Sequence, residues 1–128
     1  MSRRSKPEVE MHSYGVYEGW DRSSRELPVL VRITDGIEAQ IGVEFGYILR
    51  IRHARNSKIT FRIEHPPFAN SSGRPAAPFT GELYVKSNDF RFFLGDTVWE
   101  PLEDKRGDWR LMTWLDDQLV ADKTIRLT

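Results

Sequence analysis

The chain has 128 residues, a length typical of one domain and too short for two ordinary hydrophobic cores. Its 19 basic residues balance its 19 acidic ones, which argues against a nucleic-acid or membrane partner, because both attract proteins through an excess of positive charge. It has no cysteine, which excludes disulfides, thiolate metal sites and cysteine nucleophiles, and its 39% hydrophobic content supports a folded core.

The first ten residues are polar and include Pro7, so we predict a flexible tail over residues 1–10 and a single domain over residues 11–128. The basic residues Arg3 and Arg4 are not followed by the apolar segment of a signal peptide. No run approaches the roughly 18 apolar residues of a membrane span. We therefore expect a cytoplasmic location.

From Met11 onward, apolar residues recur at every second position, which is typical of strands with one buried face. Residues 11–18 form the first predicted strand. The second has alternating apolar residues at Leu27, Val29, Val31 and Ile33. Pro28 lacks a backbone N–H, so it places this second strand at an edge or at its own beginning.

The clearest strand has six apolar residues at successive odd positions: Ile41, Val43, Phe45, Tyr47, Leu49 and Ile51. Gly42 and Gly46 fall on its other face, where a missing side chain permits a bulge or the close approach of another backbone. Alternation resumes over residues 58–64, after turn residues at 54–57, so we predict that these two strands pair as a hairpin.

The remaining chain predicts two long loops and a closing hairpin. Prolines and glycines interrupt the pattern over residues 64–79 and 95–107, with strands at 82–86 and 90–94 between the loops. A hairpin then joins residues 109–115 to 119–127 across Asp116-Asp117-Gln118. About eight short strands with frequent turns predict an all-β fold, an immunoglobulin-like antiparallel β-sandwich.

Three blocks also carry a family resemblance: Ile41–Tyr47 (IGVEFGY), His65–Phe68 (HPPF) and Gly107–Trp109 (GDW), with further matches at Tyr17–Trp20 and Gly95–Pro101. Together they resemble an uncharacterised bacterial family, the domain of unknown function DUF3859, over residues 14–127. The resemblance implies no activity, cofactor or catalytic residue. Because one sandwich fold serves many functions, function has to be argued from a site.

Aromatic residues outside the predicted core are the main candidates for a binding surface. Trp109, Phe45 and Phe61 fall on apolar strand faces and are assigned to the core. The candidate interaction or ligand surface consists of loop aromatics, outward-facing aromatics, one histidine and two loop acids: Trp20, His65, Phe68, Phe79, Asp96, Trp99, Glu100 and Trp114.

A structural interpretation of the same residues stays open. Trp114 would then cover the sandwich edge, while Trp20 and Trp99 would plug its ends. His65, held extended by the proline that follows it, would fix its loop through a hydrogen bond to a neighbouring strand end.

Catalytic and metal-binding motifs are missing from the sequence. There is no Gly-x-Ser-x-Gly elbow, phosphate-binding loop or dinucleotide fingerprint, so we predict no catalytic residue and no cofactor. His12, His53 and His65 lack zinc-ligand spacing, so no metal site is predicted. A solvated acidic loop is favoured over a calcium site formed by loop acids, namely Asp96, Glu100, Glu103 and Asp104.

Three functions are compatible with these features. We expect a non-enzymatic protein-interaction or self-association module, which would show an exposed apolar patch. The alternative is a small-ligand domain that binds carbohydrate through loop aromatics, and the third hypothesis is a hydrolase that uses loop acids and His65. A ligand-binding domain would show a concave cleft lined by Trp20, Trp99 or Trp114.

Overall fold

Two stacked sheets make up the computed structural model, which describes residues 6–18, 26–69 and 72–128. The strands are β1 (Glu8–Tyr17), β2 (Leu30–Arg32), β3 (Gly36–Ile37), β4 (Glu44–Arg52), β5 (Lys58–Glu64), β6 (Phe79–Tyr84), β7 (Asp89–Thr97), β8 (Gly107–Leu115) and β9 (Gln118–Leu127). The four-stranded sheet has the order β2-β1-β4-β7, and the five-stranded sheet has the order β3-β9-β8-β5-β6. No helix in the described ranges is long and apolar enough to cross a membrane.

The core lies between the sheets and follows the predicted alternation. In β4, Phe45, Tyr47, Leu49 and Ile51 are buried against inward-facing residues of the other sheet, such as Ile59 and Trp109. Odd positions of β5 and β8 meet them from the opposite side, because each strand points alternate side chains to one face. The predicted all-β sandwich is confirmed, with β1 beginning at Glu8, inside the predicted tail.

The predicted hairpin between β4 and β5 is wrong. β4 lies between β1 and β7 in one sheet, whereas β5 lies between β8 and β6 in the other. The intervening turn, with positive φ at His53 and Asn56, therefore crosses from one sheet to the other. Alternation shows that both strands bury one face, and a corner between two sheets satisfies that requirement as well as a hairpin does.

Three of the four apolar residues of the second predicted strand point to solvent, whereas Leu27 is half-buried. Val29, Val31 and Ile33 are 61%, 61% and 63% exposed, whereas Pro28 is buried and Leu30 is half-buried. The predicted alternation is present, but the opposite set of side chains faces inward. The reason is that β2 is a short edge strand, and its inward side chains cover Ile48 and Phe93 on the outside of the four-stranded sheet. Ile41 is likewise exposed, in the turn before β4.

Gly46 lies where two backbones approach closely, as the sequence predicted. It pairs with Gly15 of β1 and Gly95 of β7, and a Cβ atom added to it would lie 2.1 Å from the carbonyl oxygen of Leu94. Gly42 instead occupies an open turn with φ +89°. The glycine at position 46 therefore allows three strands to stay in register where side chains would separate them.

The closing hairpin is confirmed. Asp116 and Asp117 connect β8 to β9 with φ values of 46° and 69°. Two successive residues with positive φ are typical of the tight turn whose twist matches that of paired strands. The turn sets the register of the pairs next to it, and a bulge between Thr113 and Trp114 shifts the register by one residue for the rest of the hairpin, in which Trp109 pairs with Ile125 and both are buried.

Candidate functional site

The two long loops meet at one end of the sandwich and bring four predicted site residues together. His65, Phe68, Phe79 and Trp99 pack around Trp109 and form what we call the aromatic cluster. Ring centroids are 4.2 Å apart for His65 and Phe68, 4.8 Å for His65 and Phe79, and 5.3 Å for Phe68 and Trp99. Phe68 and Trp109 are buried and the other three are half-buried, so the cluster is mainly an extension of the core.

Lys105 fills the space that the aromatic cluster encloses. This lysine is only 1% exposed, and its Nζ lies 4.6 Å from the ring centroids of both Phe68 and Trp99. It also donates to Asp104 Oδ1 at 2.6 Å and to the carbonyl oxygen of Pro101 at 3.3 Å. A cation held over aromatic faces is stabilised by their negative charge, so the chain itself occupies this cage and leaves no room there for a cationic ligand.

His65 fixes the first long loop, which is the structural role considered above. Its Nδ1 lies 2.8 Å from the carbonyl oxygen of Pro66, and its Nε2 lies 2.9 Å from that of Ala77. Carbonyl oxygens only accept hydrogen bonds, so both bonds form together when the imidazole carries two protons. The Ala76 N–H donates a hydrogen bond to the carbonyl oxygen of Phe68 at 2.8 Å, which also holds the two sides of this loop together.

The other predicted site residues are dispersed. Glu100 is exposed, and Asp96 is half-buried on β7, where its Oδ1 accepts a hydrogen bond from the backbone N–H of Thr97. Trp114 lies on the outer face of the five-stranded sheet, away from the loops. Trp20 lies outside the described residues. The seven predicted residues that the structure describes therefore do not form one surface.

A concave apolar cavity, which the sequence did not indicate, opens beside the last strands of the two sheets. Its volume is 420 Å³, and we call it the edge cleft. Its lining comes from β5, β6 and β7: Phe61, Ile63, Phe79, Phe92, Phe93, Leu94, Gly95 and Asp96. Asp96 and Phe79 are the two predicted site residues that line it.

The edge cleft exists because both sheets end there. β7 is the last strand of the four-stranded sheet and β6 the last strand of the five-stranded sheet, so no further strand closes that side in the order of either sheet. In the middle of β6, Gly81 has no side chain, and the ring of Phe61 lies where its Cβ would be, with Cζ at 2.4 Å. A glycine within a strand is the signal that could have indicated this close approach.

The edge cleft is lined mainly by apolar side chains. Burial raises the pKa of Tyr47 and a hydrogen bond from Arg110 lowers the pKa of Asp122, and both of these groups lie outside the cleft. Within the described ranges, no group of three or more histidine and acidic side chains is arranged to hold a metal ion. The cleft itself offers aromatic and aliphatic surface with one carboxylate, that of Asp96.

Comparison with known proteins defines the relatives of this chain. A crystal structure of an immunoglobulin-like protein from Pseudomonas aeruginosa matches with a TM-score of 0.79 at 21% identity, covering 99% of this chain and 100% of that one. This likeness confirms the immunoglobulin-like sandwich. No curated protein matches the chain significantly. The family model "Domain of unknown function (DUF3859)" matches residues 5–127, and the chain therefore belongs to that family.

Proposed function

We propose that this domain is a non-enzymatic protein-interaction module, in which an extended segment of a protein partner pairs with the edge of β7 and inserts an apolar side chain into the edge cleft. The observation that supports this function is the position of the cleft: an apolar cavity of 420 Å³ lies directly beside an edge of β7 with which no described strand pairs. Partners that add a strand use both features, since backbone hydrogen bonds supply affinity and side-chain pockets supply specificity.

The edge of β7 is long enough for strand addition. All nine of its residues, Asp89–Thr97, pair with β4 on one side, and no described strand pairs with the other side. Such an edge presents a row of backbone N–H and C=O groups to any extended chain of suitable register. Because a strand points alternate side chains to one face, a segment added to β7 would direct every second side chain toward the edge cleft.

The lining of the edge cleft favours an aromatic or branched aliphatic side chain. Four phenylalanines line it: Phe61, Phe79, Phe92 and Phe93. Aromatic rings pack edge-to-face or offset against a further ring and contribute more than their buried area alone. A single large side chain buried in such a pocket is typical of the residues that dominate binding energy at protein interfaces.

The test is a selection of binders from a random peptide display library, followed by NMR mapping on the wild-type domain. We expect selected peptides to have alternating apolar residues and to perturb amide signals of β6 and β7. Upon binding, β7 amides should gain protection from hydrogen exchange, because the added strand accepts their hydrogen bonds.

Two lysine variants test the location. Phe79→Lys introduces a charge into the edge cleft and should weaken peptide binding by roughly tenfold or more, since a charge buried against phenylalanines is costly. Leu119→Lys is the matched control, because Leu119 is exposed on β9 and outside the cleft. Selected peptides that map away from β7, or that bind Phe79→Lys as tightly as wild type, would show the proposal to be wrong.

A further inference from the structure

A second concave surface lies on the outer face of the five-stranded sheet. It is a groove of 380 Å³, which we call the Trp114 groove, and its lining is Thr60, Phe61, Arg62, Thr80, Trp114 and Asp117. The groove is separated from the edge cleft by the sheet itself, although Phe61 borders both. A ligand bound in the Trp114 groove would therefore not occupy the edge cleft.

Strand register brings the groove residues together. Thr60 of β5 lies opposite Trp114 of β8, and Arg62 of β5 lies opposite Thr80 of β6. Directly opposed residues on one face of a sheet have Cβ atoms about 4.5–5.5 Å apart, so these side chains are neighbours. Asp117 joins them from the turn between β8 and β9.

The Trp114 groove presents polar groups to a ligand, among them Arg62, whose guanidinium also contacts the Glu64 carboxylate at 3.3 Å. In the part of the chain that the structure describes, no side-chain hydrogen bond engages the Thr60 hydroxyl, the Thr80 hydroxyl or the indole N–H of Trp114. Threonine hydroxyls donate and accept, the Arg62 guanidinium only donates and the Asp117 carboxylate only accepts. The groove thus offers both hydrogen-bond donors and acceptors around the half-buried Trp114.

This chemistry matches a neutral sugar. We infer that the Trp114 groove binds a neutral oligosaccharide, with the C–H face of one pyranose ring stacked on Trp114 and its hydroxyls bonded to the surrounding polar groups. Sugar hydroxyls need donors and acceptors together, and indole provides the flat apolar surface for the ring. The opposite charges of Arg62 and Asp117 favour neither an anionic nor a cationic ligand.

NMR titration of the indole N–H signals tests this inference. The chain has four tryptophans, and the probes are cellohexaose, xylohexaose, mannohexaose and chitohexaose. We expect at least one hexasaccharide to shift the Trp114 signal. The Trp109 signal should stay in place as an internal control, because its N–H is donated to the carbonyl of Lys105 inside the core at 2.8 Å.

Variants decide whether Trp114 carries the binding. Trp114→Ala should weaken binding by roughly tenfold or more, whereas Tyr84→Ala should leave it unchanged, because Tyr84 is an exposed aromatic on the same sheet outside the groove. Arg62→Met, which keeps the aliphatic stem, provides a second variant if Trp114→Ala does not fold. Binding to Phe79→Lys should equal that of wild type, which separates this site from the edge cleft.

Two results would overturn the inference. One is the lack of any shift of the Trp114 signal with all four hexasaccharides at about 10 mM, which corresponds to affinity weaker than a specific site provides. The other is oligosaccharide binding that survives both Trp114→Ala and Arg62→Met.

Discussion

Lys105 is buried, although the residues next to it in the sequence predict an exposed side chain. The segment around it, Glu103-Asp104-Lys105-Arg106, is fully charged and predicts a solvated loop. In the structure, the Lys105 side chain is buried between Phe68 and Trp99, while Glu103 and Arg106 are exposed. The local sequence does not show that Lys105 turns inward, because one of the two rings around it, Phe68, comes from the other long loop.

Replacing Lys105 tests the energetic value of this cage. Lys105→Ala should lower the free energy of unfolding by roughly 2–4 kcal/mol, because it leaves a cavity and removes a desolvated cation–π contact. Lys123→Ala is the matched control: Lys123 Nζ lies 4.0 Å over the ring of Tyr14, but its side chain is 24% exposed, so the loss should be about 1 kcal/mol or less. Urea unfolding measures both, and equal losses would contradict a structural role for the cage.

The sequence predicted which residues belong to the candidate site better than it predicted how they are arranged. Alternation alone predicts that Trp109, Phe45 and Phe61 belong to the core; Trp109 and Phe45 are buried in it, whereas Phe61 is half-buried and packs against it. His65 and Phe68, by contrast, were assigned to a surface because loops have no periodicity from which burial could be inferred. The meeting of two loops over Trp109 is what buries Phe68 and half-buries His65.

At the scale of the elements, the positions of the strands were predictable from the sequence. Which strands pair with each other was predictable only where a short turn connects two of them. The two-residue turn at Asp116 and Asp117 leaves β8 and β9 no alternative to pairing, and that hairpin is confirmed. The longer turn after β4 allows either a hairpin or a crossing between sheets. Sequence alternation does not distinguish the two, so the pairing of β4 with β7, some 40 residues away, was missed.

The β8–β9 hairpin carries an ion pair that should make its stability depend on pH. Arg110 donates to both carboxylate oxygens of Asp122, at 2.9 and 2.7 Å, and this hydrogen bonding lowers the pKa of Asp122 below its ordinary value of 3.8. A carboxylate whose native pKa is lowered stabilises the fold above its unfolded pKa. That contribution is lost as the pH falls from about 4 through the lower native pKa.

Asp122→Asn should therefore destabilise the protein slightly at neutral pH and not at all in strong acid. We expect a loss of less than about 1 kcal/mol at pH 7, because the pair is largely exposed, and the difference from wild type should vanish toward pH 2. Urea midpoints between pH 2 and pH 7 measure it. Asp108→Asn serves as control, since Asp108 lies 4.0 Å from Arg126 without a bidentate bond; a loss for Asp122→Asn that persists at pH 2 would refute the assignment.

At the scale of the whole molecule, one core connects the two sheets. A single buried cluster includes Phe45 and Leu49 from the four-stranded sheet and Trp109 and Ile125 from the five-stranded one. The Tyr47 hydroxyl also reaches across to Thr113 Oγ1 at 2.6 Å, and burial keeps this phenol protonated by raising its pKa. The sandwich was predictable because this layer arises from simple alternation, and we expect it to unfold as one cooperative unit.

Gly46 tests that cooperativity. Gly46→Ala should lower the free energy of unfolding by at least about 3 kcal/mol, because its Cβ would lie 2.1 Å from the Leu94 carbonyl oxygen and 2.6 Å from Gly95 Cα, so that β4 and β7 must separate. Gly42→Ala, where φ is +89° and no atom lies within 4 Å, should cost only the backbone strain of about 1–2 kcal/mol.

Because β4 contributes to the single core, Gly46→Ala should lower the urea midpoint of one unfolding transition for the entire domain. The four-stranded sheet should not unfold separately. Far-UV circular dichroism reports the strands and tryptophan fluorescence reports the core, where Trp109 lies on the opposite sheet from Gly46. Coincident urea transitions by the two probes are expected for both variants. Loss of the strand signal at a lower urea concentration than the change in tryptophan fluorescence would mean that the sheets unfold separately. The common core would then not be what holds the two sheets together.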